Sequence, residues 1–132
     1  MKVLIGFFVT LTLLMATAYQ TSGPAAAQAP ARSCFTVRSV RGFRSVNNRT
    51  VYVRASGNDV FALELFSPCN GVNWAHTAEL RTRGASRVCE GRANWVTLYV
   101  RRAGGGRQRC SVSNVHRLTP YDITRLPLGA RP

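Results

Sequence analysis

Short runs in which apolar and polar residues alternate restrict this chain to β structure. From Cys34 onward they recur at intervals of about 8–12 residues, and turn residues separate them. The clearest alternation is in residues 50–55 and in residues 95–101, which end before three glycines. A Ser-Gly-Asn-Asp turn joins the first of these runs to a strand predicted at residues 60–66, where Phe61, Leu63 and Leu65 share one side. This pattern predicts an all-β domain with little helix, a compact antiparallel β-barrel or sandwich of about six to seven short strands.

Two further runs carry more specific predictions. Residues 73–83 alternate with Trp74, His76 and Leu80 on one side, so we expect one long strand with these side chains facing the core. In residues 35–41 the alternation slips by one position between Val37 and Val40, which predicts a β-bulge. Residues 87–90 and 109–116 complete the predicted strands.

A short helix is predicted at the end of the domain. Thr119 suits the N-cap, Pro120 the first helical position and Asp122 the first turn, and Pro127 sets the limit. We expect this helix to bury Tyr121, Ile123 and Leu126 against the barrel wall.

The first 27 residues have the pattern of a secretory signal peptide. Met1-Lys2 precede an apolar run from Val3 to Ala18, which is shorter than the ~20 residues of a membrane-spanning helix, and Ala25 and Ala27 suit a cleavage site. We therefore predict export to the bacterial periplasm or beyond, with no transmembrane segment in the mature chain. The predicted organisation is a signal peptide at 1–27, a flexible mature N-terminus at 28–33, a single β domain at 34–127 and a tail at 128–132.

The cysteines predict two disulfides. An even number in a small exported chain is typical of disulfide bonding, and the spacing of Cys34, Cys69, Cys89 and Cys110 lacks C-x-x-C, so we expect no metal site and no cofactor. Four cysteines allow three connectivities. A simple meander, in which the first and last strands start at the same end, favours Cys34–Cys110 with Cys69–Cys89. A crossover connection would remove that preference.

The charge is strongly positive. Cleavage after residue 27 leaves 105 of the 132 residues, with 17 arginines and five acids, so the formal net charge of +13 becomes +12 without Lys2. Such a field attracts polyanions, namely nucleic acid, anionic lipid or acidic glycan. Four arginines flank the glycines at 104–106, and we predict an anion-binding site there. These residues are Arg101, Arg102, Arg107 and Arg109. The alternative is a solvated hairpin tip whose arginines only maintain solubility.

Aromatic side chains offer a second feature of the surface. Tyr52, Trp95 and Tyr99 have the outward parity of their strands, interleaved with Arg54 and Arg101, an arrangement suited to stacking on bases of single-stranded nucleic acid. The alternative is a barrel wall covered by the terminal helix.

The sequence carries no catalytic signature such as G-x-S-x-G, a P-loop or H-E-x-x-H. His76 and His116 are the candidate acid–base pair of a nuclease, but no spacing brings them together. Glu64 and Glu79 could face each other across adjacent strands, but we favour surface ion pairs with the nearby Arg54 and Arg81. We therefore expect no catalytic residues.

With these residues laid out, the chain resembles a family of small exported bacterial proteins known only as a domain of unknown function. The resemblance covers roughly residues 34–120, and the cysteine framework and the closing Leu-Thr-Pro are its most specific parts. It rests on Cys34-Phe35, Gly42-Phe43, Thr50-Val51-Tyr52-Val53-Arg54, Leu63-Glu64-Leu65, Pro68-Cys69, Trp74-Ala75, Val88-Cys89, Arg109-Cys110-Ser111-Val112 and Arg117-Leu118-Thr119-Pro120. The resemblance implies export and a compact β domain, and it implies no activity.

Three functions fit these observations. The favoured one is a non-enzymatic envelope or secreted protein that binds an anionic partner. The alternatives are a secreted ribonuclease-like enzyme that uses His76 and His116, and an inhibitor of an acidic secreted protein.

Overall fold

Short strands dominate the computed structural model, which describes residues 31–75 and 77–132; the predicted signal peptide and His76 lie outside the described residues. The strands are β1 (Cys34–Thr36), β2 (Gly42–Arg44), β3 (Thr50–Arg54), β4 (Val60–Leu65), β5 (Ala78–Thr82), β6 (Arg87–Cys89), β7 (Gly91–Arg92), β8 (Val96–Arg101) and β9 (Arg107–Arg117), and the helix is α1 (Pro120–Arg125). No helix in this part of the chain is long and apolar enough to span a membrane.

The main sheet is antiparallel and has the strand order β2-β3-β4-β9-β8-β5. It curls into a half-barrel, which confirms the predicted all-β class with a short C-terminal helix and two disulfides. β1 and β6 form a separate two-stranded sheet, and β7 pairs with β9.

β9 is the strand that joins the two halves of the main sheet. Its first half, Arg107 to Ser111, pairs with β8, and its second half, from Val112 to Arg117, pairs with β4. The register of the β4–β9 pair shifts between Glu64 and Leu65, next to the point at which β9 changes its partner from β8 to β4. The last strand of the chain is therefore inserted between β4 and β8, and the sheet is not a simple meander.

The core lies inside the curl of the main sheet. Val51, Val53, Phe61 and Leu63 are almost completely buried, as the alternation of residues 50–55 and 60–66 predicts. Phe35 of β1 contacts Phe61 of β4, with 4.6 Å between the ring centroids. The small β1–β6 sheet thus packs its apolar residues into the core of the main sheet.

The long strand predicted at residues 73–83 is wrong in its first half. Val72–Trp74 forms a 3-10 turn, and the strand begins only at Ala78. Because side chains three positions apart share one side of such a turn, Val72 and Ala75 contact the core and Trp74 points away, with 78% of its surface exposed. Trp74 is therefore not a core residue.

The bulge predicted in residues 35–41 is also a 3-10 turn, Val37–Ser39, which follows directly after β1. A turn with a period of three brings both Val37 and Val40 toward the core, where they are half-buried. The slip in the alternation is thus explained by a change of backbone conformation rather than by an extra residue in a strand.

The favoured disulfide pairing is wrong. The disulfides join Cys34 to Cys89 and Cys69 to Cys110, with Cα–Cα distances of 4.0 and 5.8 Å. The prediction assumed that the first and last strands belong to one meander. Instead β1 pairs with β6, which places Cys34 directly opposite Cys89. The loop before the 3-10 turn at Val72 carries Cys69 to the middle of β9, where it meets Cys110.

Helix α1 begins and ends as predicted, but it buries less. Thr119 and Asp122 form a reciprocal capping box, and Pro120 occupies the first turn. No residue of α1 is fully buried, and Tyr121 is 66% exposed, so the expected burial of Tyr121 is wrong. The Arg125 guanidinium lies 5.3 Å from the centroid of the Tyr121 ring instead. Beyond Pro127, a 3-10 turn at Leu128–Ala130 buries Ala130.

A half-buried carboxylate, Glu90, connects the N-terminal segment to the end of β9. Its two oxygens accept hydrogen bonds from the backbone N–H of Ser33 at 3.1 Å and of Arg117 at 2.7 Å. The bond from Arg117 is the largest cause that lowers the pKa of Glu90 below its ordinary value of 4.5, because hydrogen bonds to the carboxylate favour its ionised form.

We expect Glu90→Gln to weaken the pH dependence of folding. Because the folded pKa lies below 4.5, the unfolded chain binds the proton first as the pH falls, so the stabilisation is present above pH 4.5 and is lost as the pH falls through the folded pKa. At pH 7 the variant should lose about 1–3 kcal/mol of unfolding free energy. Urea unfolding from pH 7 to pH 3 measures both effects, and Glu64→Gln, on the exposed side of β4, is the control. A variant with the same pH profile as the wild type would contradict this role.

Candidate anion-binding face

A group of neighbouring arginines lies on the outer side of the part of the sheet that β5, β8 and β9 form. Glu79, Tyr99 and Arg109 lie in one cross-strand row, and Arg81, Thr97 and Ser111 lie in the next. Because alternate residues of a strand share a side of the sheet, the outward arginines of these strands and their extensions form one surface, which we call the cationic face. It consists of the exposed residues Arg81, Arg83, Arg101, Arg107 and Arg109.

Three of the four arginines predicted around the glycine turn belong to this face. Arg101 and Arg107 are direct cross-strand partners, and Arg109 follows two positions later. Arg102 instead has the parity of Gln108, and its Nε donates to Gln108 Oε1 at 3.2 Å. The four guanidinium groups therefore do not converge at the tip.

The glycine turn itself is a closed hairpin connection. The N–H of Gly105 donates to the Arg102 carbonyl at 3.1 Å, and the N–H of Arg102 donates to the Gly106 carbonyl at 3.1 Å. Gly105 and Gly106 have φ values of 82° and 88°, a region that favours glycine. The Gly105 N–H is thus already used within the turn and is not available to an anion.

Glu79 is the carboxylate of this surface, and it orders two of the arginines. Its oxygens accept from Arg81 Nε at 2.7 Å and from Arg107 Nη2 at 3.2 Å. The hydrogen bond from Arg81 is the main cause that holds the pKa of Glu79 below its ordinary value. In the described part of the chain, no carboxylate lies within 4.0 Å of the guanidinium nitrogens of the other three members, Arg83, Arg101 and Arg109.

A groove of about 490 Å³ crosses the cationic face. Thr97 is its floor and is only 8% exposed, because the longer neighbouring side chains overhang it. Tyr99 of β8 and Trp95 of the turn before β8 lie on either side of Thr97, and Arg81, Arg83 and Arg109 line the rim. The Arg81 guanidinium carbon lies 5.3 Å from the centroid of the Tyr99 ring. The groove therefore combines a short hydroxyl-bearing floor, aromatic walls and a cationic rim.

The structure separates the three aromatic residues that the sequence predicted to be outward. Trp95 and Tyr99 both line the groove. Both are half-buried, and Trp95 also packs against the core. Tyr52 lies on β3, paired with Arg44 and Ala62, in the other half of the sheet.

Of the two candidate catalytic histidines, the described residues include only His116, which lies on the half of β9 that pairs with β4. His116 is exposed, with its Nε2 3.2 Å from Glu64 Oε1 and 3.1 Å from Asn114 Nδ2. Protonated Nε2 donates to the carboxylate, whereas unprotonated Nε2 accepts from the amide, so the tautomer selects one of the two contacts. His76 lies outside the described residues, so the predicted histidine pair stays a prediction.

The two glutamates suggested as a facing pair are far apart in the strand order. β9 and β8 separate the Glu64 strand β4 from the Glu79 strand β5. Three strand spacings correspond to about 14 Å, and the expectation that these carboxylates face each other across adjacent strands is wrong. The predicted ion pair between Glu79 and Arg81 is confirmed.

Sequence reasoning missed Arg83, Thr97 and the position of Arg81 in the site. The alternation of residues 79–83 does indicate outward side chains, but it does not indicate that β5 pairs with β8. Only that long-range pairing brings Arg81 beside Tyr99.

The comparisons with known proteins give a family and no activity. A family model described as a family of unknown function, DUF6491, matches residues 1–127, in agreement with the resemblance found in the sequence. No curated protein and no solved structure matches the chain.

Proposed function

We propose that this chain, which belongs to the family of unknown function DUF6491, is an exported, non-enzymatic protein that binds an anionic partner through its cationic face. The observation that carries the proposal is the grouping of five arginines around a single carboxylate on one side of β5, β8 and β9. Guanidinium groups match phosphate, sulfate and carboxylate oxygens in a bidentate manner.

The charge distribution supports the same function. Glu79 orients Arg81 and Arg107, while Arg83, Arg101 and Arg109 have no ion-pair partner among the described residues. A surface of one charge sign raises the local concentration of an anionic partner and accelerates association. The two disulfides and the signal-like N-terminus support export, since disulfides persist in oxidising compartments.

The test is a salt titration of binding to a fluorescently labelled RNA oligonucleotide, followed by anisotropy. Arg101→Ser/Arg109→Ser should weaken binding about 30-fold at constant salt, since each arginine contributes about 1 kcal/mol at an anionic surface. The slope of log affinity against log salt should fall by about 1.4. The matched control, Arg44→Ser/Arg54→Ser, removes the same charge from β2 and β3 and should retain most of the affinity.

Other outcomes would redirect the assignment. An equal loss in both double variants would mean that net charge, and not the cationic face, determines binding. If the wild-type protein cleaves the RNA and His116→Ala leaves it intact, the result would indicate the ribonuclease-like alternative. A stoichiometric complex with an acidic protein, without salt-dependent RNA binding, would indicate the inhibitor.

A further inference from the structure

Resting on the proposed function, we propose that the anionic partner is single-stranded nucleic acid, held in the groove over Thr97 with its bases against Trp95 and Tyr99 and its phosphates on the arginine rim. Arginines alone do not choose among polyanions. The inference follows from the aromatic rings that lie among them.

The first step concerns the shape of the groove. Thr97 lies between Tyr99, two positions along β8, and Trp95, in the turn that precedes β8, and all three line the groove. Its short side chain leaves the groove of about 490 Å³ open between the two larger residues. A planar base fits against either aromatic wall above this floor.

The second step concerns a repeated pairing of ring and cation. Tyr99 lies directly opposite Arg109 in the β8–β9 register. The backbone N–H of Arg83 donates to the Trp95 carbonyl at 3.1 Å, and both residues line the groove. Neither arginine has an ion-pair partner among the described residues. Each aromatic residue thus shares the groove with an arginine that has no carboxylate partner there, which is the combination that one nucleotide needs for its base and its phosphate.

The third step distinguishes this partner from other polyanions. A duplex keeps its bases stacked inside, so it cannot use the aromatic walls, whereas a single strand presents the faces of its bases. An anionic membrane would use exposed apolar residues. The most exposed of these, Phe66, Trp74 and Leu128, do not line the groove. The Arg81 guanidinium over the Tyr99 ring extends the stacking surface.

The experiment compares two probes that share phosphate chemistry but differ in bases. Tyr99→Leu keeps all five arginines and should weaken binding of a labelled single-stranded oligonucleotide at least about fivefold, with binding of inorganic polyphosphate unchanged. Tyr52→Leu, which removes an aromatic residue outside the groove, is the matched control and should bind both probes as the wild type does.

A second measurement reports on Trp95 directly. The chain has two tryptophans, so Trp74→Phe leaves Trp95 as the single tryptophan, and stacked bases should quench its tryptophan emission while polyphosphate should not. Unchanged oligonucleotide affinity in Tyr99→Leu together with unquenched Trp95 would overturn the inference. The proposed function would still stand if Arg101→Ser/Arg109→Ser weakened binding of both probes, and it would fail separately if that variant bound them normally.

Discussion

Replacing Phe61 with alanine is expected to lower the free energy of unfolding by about 3–5 kcal/mol. The Phe61 side chain is 1% exposed, and its ring packs against Phe35 at 4.6 Å between centroids. This contact joins the small β1–β6 sheet to the main sheet, so the truncation removes buried apolar area and leaves a cavity between two sheets. A domain of this size has only about 5–15 kcal/mol of total stability, so the effect is a large fraction of it.

The chain offers a matched control for this prediction. Phe66 lies just beyond the same strand and is 79% exposed, so Phe66→Ala should change the unfolding free energy by less than about 0.5 kcal/mol. Urea unfolding of both variants, with the disulfides intact, measures the difference. Equal effects in the two variants would contradict the described packing of the β1–β6 sheet on β4.

Removal of the Cys69–Cys110 disulfide by a double substitution to alanine is expected to cost about 4 kcal/mol. The bond joins residues 41 positions apart and so lowers the conformational entropy of the unfolded chain. This effect alone accounts for a stabilisation of about 4 kcal/mol, which the variant loses. Cys69 is fully buried and Cys110 is 4% exposed, so the variant also loses packing in the middle of β9. Part of the variant protein should be unfolded at 37 °C.

The Cys34–Cys89 bond provides the comparison. It spans 55 positions, so loop entropy alone gives it a similar contribution of about 4 kcal/mol. Both its cysteines are only half-buried, and we therefore expect Cys34→Ala/Cys89→Ala to be the less destabilised of the two double variants. Urea midpoints of the two variants, with the pairing verified by mass spectrometry of non-reduced peptides, decide the order. The reverse order, or a loss below about 1 kcal/mol for the Cys69–Cys110 variant, would contradict the prediction.

The elements that could be predicted from sequence are those determined by neighbouring residues. β3 alternates in sequence and in burial, β4 is an apolar run, and the two are joined by a short turn at Ser56–Asn58, where Gly57 and Asn58 adopt positive φ. α1 carries its own start signal in Thr119 and Asp122. The strand predicted at residues 73–83 was wrong in its first half because a 3-10 turn, here Val72–Trp74, can show the same alternation as a strand over a few positions. In addition, the buried Val72 lay outside the predicted run.

The disulfides and the candidate site depend on pairings between distant parts of the chain. The position of Cys34 opposite Cys89 follows from β1 leaving the main sheet, and no local signal indicates this. The triple-glycine turn drew attention to Arg101, Arg107 and Arg109, which β8 and β9 place on one side of the sheet. The groove around Thr97, however, exists only because β5 pairs with β8. The part of its cationic rim that Arg81 and Arg83 form could therefore not be predicted.

The central position of β9 has a consequence for the order in which the protein can assemble. β9 is the last strand in sequence, yet it is the hydrogen-bonding partner of β4, β7 and β8. Until residues 107–117 are in place, β4 and β8 present open edges that attract other chains. Cys69 also lacks its partner Cys110 until then. The main sheet therefore cannot close before this last strand is available, and a chain that lacks residues 107–117 keeps both edges exposed.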